Sequence, residues 1–161
     1  IDEIHIISNG DQTETIFNGI SQGLTLASSL RCREFEPDAP HYTPRISGIM
    51  DTISNSYCLS ILKTRENDPL TCLRNFFHYN TFNKGIGHCI HTYRGEEKGV
   101  LRPYVGEPFE VPLFNTLHET ANYYWNNINH DNKISLLVKF VCTKDKSVEF
   151  KIVNKNGHST D

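Results

Sequence analysis

Little in this chain marks it for a special class. Its 161 residues hold one methionine, one tryptophan and five cysteines. Cys32, Cys58, Cys72, Cys89 and Cys142 are scattered, and no CxxC pair occurs among them, which argues against a zinc ribbon or a redox motif. Buried free thiols in a reducing cytoplasm are the expectation. No apolar run is long enough to span a bilayer, so no membrane partner is expected, and no signal-peptide pattern stands at Ile1. An excess of positive charge is also missing. The formal net charge is −3, without the basic stripe that nucleic-acid binding requires.

What remains is ordinary globular chemistry. Hydrophobic residues make up 37% and charged residues 22%, enough for a substantial core in one domain over 1–161. No repeat, low-complexity segment or boundary interrupts it. The sequence leaves assembly into a homo-oligomer open.

Periodicity places the elements. Ile4 and Ile6 alternate with Glu3 and His5, predicting a strand to about Ser8. Ile16, Ile20, Leu24, Ala27 and Leu30 recur near the helical period, predicting one helix from Thr13 to Leu30. Gly19 and Gly23 would be tolerated there by close packing against a sheet. Arg45–Ile53 and Tyr57–Lys63 read as strands around a Ser54-Asn55-Ser56 turn. Asp68-Pro69 reads as a helix start, with Leu70, Leu73 and Phe77 as the buried face. Ile86–Tyr93 is the next strand, followed by a loop holding Pro103, Pro108 and Pro112. Thr116 and Glu119 form a capping box for a third helix with Leu117, Ala121, Tyr124, Trp125 and Ile128 on its apolar face. A hairpin of Ile134–Val141 and Val148–Val153 closes the chain, its first strand apolar on both faces. The predicted class is α+β, a layered α-β-β-α sandwich of mainly antiparallel sheets.

Two polar loops flank the first helix. Ser8-Asn9-Gly10-Asp11-Gln12-Thr13 can end a strand and open a helix whose free amides face an anion. It can equally be an ordinary turn in which Asn9-Gly10 supplies positive φ and Asp11 or Thr13 caps the helix. Glu34-Phe35-Glu36-Pro37-Asp38 supplies carboxylates, and Phe35 offers Glu36 an apolar wall that could raise its pKa. Thr43 and Arg45 bracket a stiffening proline, and the Arg45 fork suits a carboxamide oxygen, a phosphate or the acidic loop itself. His88, Cys89, His91 and Tyr93 suggest a metal, but strand alternation would turn His88 away from His91, so none is expected.

Taken together, Ser8–Thr13, Phe35-Glu36-Pro37-Asp38-Ala39-Pro40, Thr43-Pro44-Arg45-Ile46 and Gly87-His88-Cys89-Ile90-His91-Thr92-Tyr93 carry a family resemblance. It continues through Asp131-Asn132-Lys133 and Ile152-Val153-Asn154-Lys155. The chain resembles the IMP cyclohydrolase family of the archaeal type and its bacterial relatives, through the order and spacing of these segments rather than any one of them. The resemblance implies a fold similar to that of N-terminal-nucleophile hydrolases and an earlier segment before Ile1 that holds part of the site. It also implies closure of the purine ring of a ribonucleotide to IMP, with no cofactor or metal. Glu36, Arg45 and Tyr93 would be catalytic, and Asn9, Gly10, Asp11, Thr13, Asp38 and Thr43 would bind the substrate. Around Asp38 the archaeal-type loop is one residue shorter. A non-catalytic purine-nucleotide-binding protein on the same fold is the alternative. A third reading, an unrelated hydrolase on this sandwich, is disfavoured because Ile1 is no terminal nucleophile.

Overall fold

Long antiparallel pairing dominates the computed structural model, which describes residues 3–157. Backbone contacts divide the chain into two compact units, Ile1–Phe82 with His88–Glu110, and Asn83–Gly87 with Val111–Asp161.

In the first unit, β1 (Ile4–Ser8), β2 (Arg45–Asp51), β3 (Ser56–Arg65) and β4 (Asp68–Tyr79) form a sheet in sequence order. All three ladders are antiparallel, and Ile6, Ile49, Cys58 and His78 lie in register across it. The helical segments are α1 (Gln12–Ser21), α2 (Leu26–Ser29) and a single 3₁₀ turn, Leu30–Cys32. Ile16, Leu26 and Leu30 from these segments pack with Cys58 and Leu62 of β3, joined by Ile6, Ile20, Ile49, Cys72 and Phe76. Each fully buried aliphatic side chain of this cluster contributes about 1.5–3 kcal/mol.

Three expectations are corrected here. The helix predicted over 13–30 is broken, because Gly23 takes a φ of +79° just past the end of α1. Its N–H donates to the Ile20 carbonyl and that of Leu24 to the Gly19 carbonyl, a Schellman closure. Thr25 then caps α2 by accepting from the Ser28 amide. Gly19 is needed for a different contact from the one expected: an added Cβ would lie 2.1 Å from Ser29 Oγ, so its close neighbour is α2.

The helix predicted from Asp68 is strand β4, paired with β3 along most of its length. Glu66 and Asn67 both have positive φ, which makes the tight hairpin turn, and Asp68 accepts from the Leu70 amide at the start of β4. Local capping signals lose to the long ladder with β3. The buried face is therefore Cys72 and Phe76, while Leu70 is 92% exposed.

The strand predicted over 86–93 is two strands, β5 (Ile86–Cys89) and β6 (Tyr93–Glu97), and 90–92 leave the pleat. The proline-bearing segment adds β7 (Val100–Pro103) and β8 (Phe109–Pro112). β6 pairs antiparallel with β7, and β5 pairs with β8.

In the second unit, α3 (Leu117–Asn127) starts as expected, with Thr116 Oγ1 accepting from the Glu119 amide. β9 (Ser135–Val141) and β10 (Val148–Asn154) form the closing antiparallel hairpin. Val138 is buried, whereas Leu137 and Phe150 are exposed, so this ladder has one covered face rather than two.

Candidate functional site

The polar loops converge on β2 because Asn9 extends the β1–β2 ladder with its side chain. Asn9 Nδ2 donates to the Pro44 carbonyl at 2.9 Å, and its Oδ1 accepts from the Ile46 amide at 2.9 Å. The carboxamide thus stands in for one more backbone unit at the point where the chain turns into α1. Among the described residues these bonds tie Asn9 to β2 and to Gln12.

Gln12, at the first position of α1, is fully buried and carries the network inward. Its amide nitrogen donates to Asn9 Oδ1 (3.0 Å) and the Ile46 carbonyl (3.1 Å), while its Oε1 accepts from Arg45 Nη1 (2.9 Å). Arg45 is 9% exposed and reaches two carboxylates. Nη2 donates to Glu36 Oε2 at 2.9 Å, Nη1 lies 2.8 Å from Glu36 Oε1, and Nη1 also pairs with Asp11. Such a forked pair fixes the plane of the Glu36 carboxylate. Asp11 is shared with Arg33, whose Nη1 lies 2.9 Å away and whose Nε donates to Thr15 Oγ1. Loss of hydration pushes the Asp11 carboxyl up, but hydrogen bonds from Arg45 and Arg33 outweigh it and hold the carboxyl below its ordinary value.

Gly10 is the residue this arrangement cannot replace. A Cβ there would lie 2.7 Å from Gln12 Oε1 and 3.2 Å from both Arg45 Nη1 and Glu36 Oε1. The absent side chain leaves room for the arginine and carboxylate to meet.

A second cluster adjoins the first, joined by the Glu36 amide donating to the Thr43 carbonyl at 2.9 Å. Asp38 accepts from the Thr43 amide (2.6 Å) and hydroxyl (2.5 Å), and the Thr43 hydroxyl meets the Tyr93 phenol. Burial works to raise the Asp38 carboxyl, and the Thr43 hydroxyl and amide bonds lower it further than burial lifts it. Thr13 lies at the other margin, donating to the Gly10 carbonyl at 2.9 Å and meeting the Ser8 hydroxyl. Phe35 packs its ring edge-on against Tyr42, with centroids 5.7 Å apart.

All nine expected residues therefore fall within the first unit, in two linked hydrogen-bonded clusters. Two residues of the network, Gln12 and Arg33, were not among those expected. Gln12 stood inside the polar string itself, and only its complete burial reveals its part. Arg33 lay between two predicted elements with no local signal. The two histidines part: His88 Nδ1 lies 2.5 Å from the Tyr57 hydroxyl, and His91 Nδ1 lies 2.6 Å from the backbone carbonyl of Tyr93.

A mixed α/β chain with mostly antiparallel strands and an arginine–carboxylate network between two loops is the class these features define. The family model for IMP cyclohydrolase-like proteins matches residues 1–146, and the chain belongs to that family. No curated protein and no solved structure matches it significantly.

Proposed function

We propose that this protein is an IMP cyclohydrolase of purine biosynthesis, closing the ring of 5-formaminoimidazole-4-carboxamide ribonucleotide to give IMP and water. Family membership supports the reaction class, and one observation supports the site. Glu36 is held by both oxygens on a nearly buried arginine, yet remains 34% exposed and open to a ligand.

The carboxamide nitrogen adds to the formyl carbon, and one of its protons moves to the formyl oxygen. That oxygen then leaves as water with the proton of the former formamido nitrogen. Both reacting groups sit on one imidazole ring, so holding them in a near-attack geometry supplies much of the rate. Glu36 transfers the proton or orients the water, and the Tyr93 phenol turns its proton from the Thr43 hydroxyl to the developing alkoxide. Arg45 acts through Glu36, fixing its plane and offsetting negative charge beside the substrate. Asp38 orients the Thr43 hydroxyl against Tyr93, and the Gly10–Thr13 turn borders the substrate. The chemistry requires neither metal nor cofactor.

The layered α-β-β-α sandwich belongs to the same proposal. Supporting it, the first unit covers one face of its sheet with helices and leaves Ile7 on the other face 64% exposed. An experimental structure with two stacked sheets would establish it.

The deciding experiment is an IMP-formation assay on the wild type and Glu36→Gln. The amide keeps the shape and removes the titratable group, so kcat should fall by about 10²–10⁴ with little change in KM. Full turnover by Glu36→Gln would end its assignment. IMP binding without turnover in the wild type would favour the non-catalytic alternative.

A further inference from the structure

The arginines of the candidate site are balanced by carboxylates: Asp11 and Glu36 face Arg33 and Arg45. A second group of cations in the same unit is not. A cavity of about 80 Å³ is lined by Lys63, Arg65, Arg94 and Arg102, with Glu66 as the one carboxylate in its wall among the described residues. Glu97 serves both Arg94 and Arg102, at 3.1 Å each. Four cations therefore meet two carboxylates.

Lys63 carries the argument. It is 8% exposed, on the strand that forms the centre of the core, and its ammonium donates to the Tyr104 carbonyl. Among the described residues no carboxylate lies within ion-pairing distance of it. A buried ammonium with three donors and one carbonyl acceptor is costly unless an anion completes it. Arg65, exposed at the cavity's rim, has no protein hydrogen bond or ion pair for its guanidinium among the described residues and is free to turn to a ligand. Arg102 is fixed differently, donating to Asn67 Oδ1 at 3.1 Å. Asn67 in turn holds the His41 and Leu101 carbonyls, so the wall is braced before any ligand arrives.

We propose that this cavity is an anion site, separate from the Glu36–Arg45 cluster, which takes one phosphoryl group on Lys63, Arg65, Arg94 and Arg102. Its small volume suits a tetrahedral oxyanion, with any remainder of the ligand projecting outward, since whole small molecules occupy pockets of about 300 Å³ or more. The shared chemistry is a phosphate monoester or free phosphate. Burial and the neighbouring Arg94 charge lower the Lys63 ammonium from its ordinary value, with Glu66 opposing, as expected where positive charge is under-compensated.

Calorimetric titration with inorganic phosphate, at constant ionic strength in chloride, tests this. One saturable site per chain is expected, weakened at least tenfold in Lys63→Met and in Arg94→Gln and unchanged in Glu36→Gln. Repeating the titration on IMP-saturated protein separates the sources. Displacement by IMP means the site holds the substrate's own phosphate, and simultaneous binding means a second phosphorylated ligand. The proposal is overturned if the wild type shows no saturable phosphate binding, or if folded variants bind as it does. Should Lys63→Met fail to fold, Arg94→Gln decides alone, because the Arg94 side chain is 45% exposed. Ring closure is scored separately by IMP formation, so either reading can fail without the other.

Discussion

Asp38 shows how a loop residue can be both exposed and committed. Both its oxygens accept from Thr43, and together these bonds hold its carboxyl below the usual aspartate value of about 3.9. A group depressed in the native state contributes stability above its unfolded pKa and loses it as pH falls through its native pKa. The urea midpoint of the wild type should therefore exceed that of Asp38→Asn near pH 6. The gap should shrink as pH drops below about 4. A gap that stays constant down to pH 2 would show that the ion, as opposed to the hydrogen bonds, adds nothing. Asp38, Glu36 and Arg45 were visible in the sequence because the chemistry of charged loops is local. Gln12 was not, because a glutamine shows its role only when buried beside an arginine that lies 33 residues away in sequence.

At the scale of elements, local signals succeeded where the element is held by its own ends. Thr116 caps α3 through the Glu119 amide at 3.2 Å, and its hydroxyl also meets the Glu119 carboxylate at 2.9 Å. Replacing Thr116 by alanine should cost about 0.5–2 kcal/mol in chemical denaturation. A change within experimental error would mean that the cap is dispensable. The same kind of signal failed at Asp68-Pro69. There the side chain accepts from the Leu70 amide at the start of a strand, and β3 supplies a partner that the local sequence does not mention. The long helix failed for the reverse reason: the apolar period ran on through Leu24, Ala27 and Leu30, yet the positive φ of Gly23 ends α1.

At the scale of the molecule, the chain crosses between its two units three times, after Phe82, after Gly87 and after Glu110. We expect such interleaving to make unfolding a single event, consistent with the one-domain reading of the sequence. Two probes test this. Trp125, the sole tryptophan, reports on the second unit. Cys58 reports on the first, its thiol buried and pushed up to about 11, so it should resist iodoacetamide until unfolding. Fluorescence and Cys58 alkylation should give coincident urea midpoints. Separated midpoints would show two independently folding bodies.

The sequence alone determined the family, the antiparallel character, α3 with its cap and the final hairpin. These rest on short-range periodicity, capping and the order of motifs. Tertiary structure decided what depends on partners distant in the chain. It made 68–79 a strand and gave Asn9 the job of extending a ladder. It placed the absent Gly10 side chain where Arg45 and Glu36 meet, and buried Lys63 at the wall of a cationic cavity. Burial and pairing change the energetic value of a polar group by several kcal/mol, more than local propensity supplies, and neither is a property of neighbouring residues in the chain.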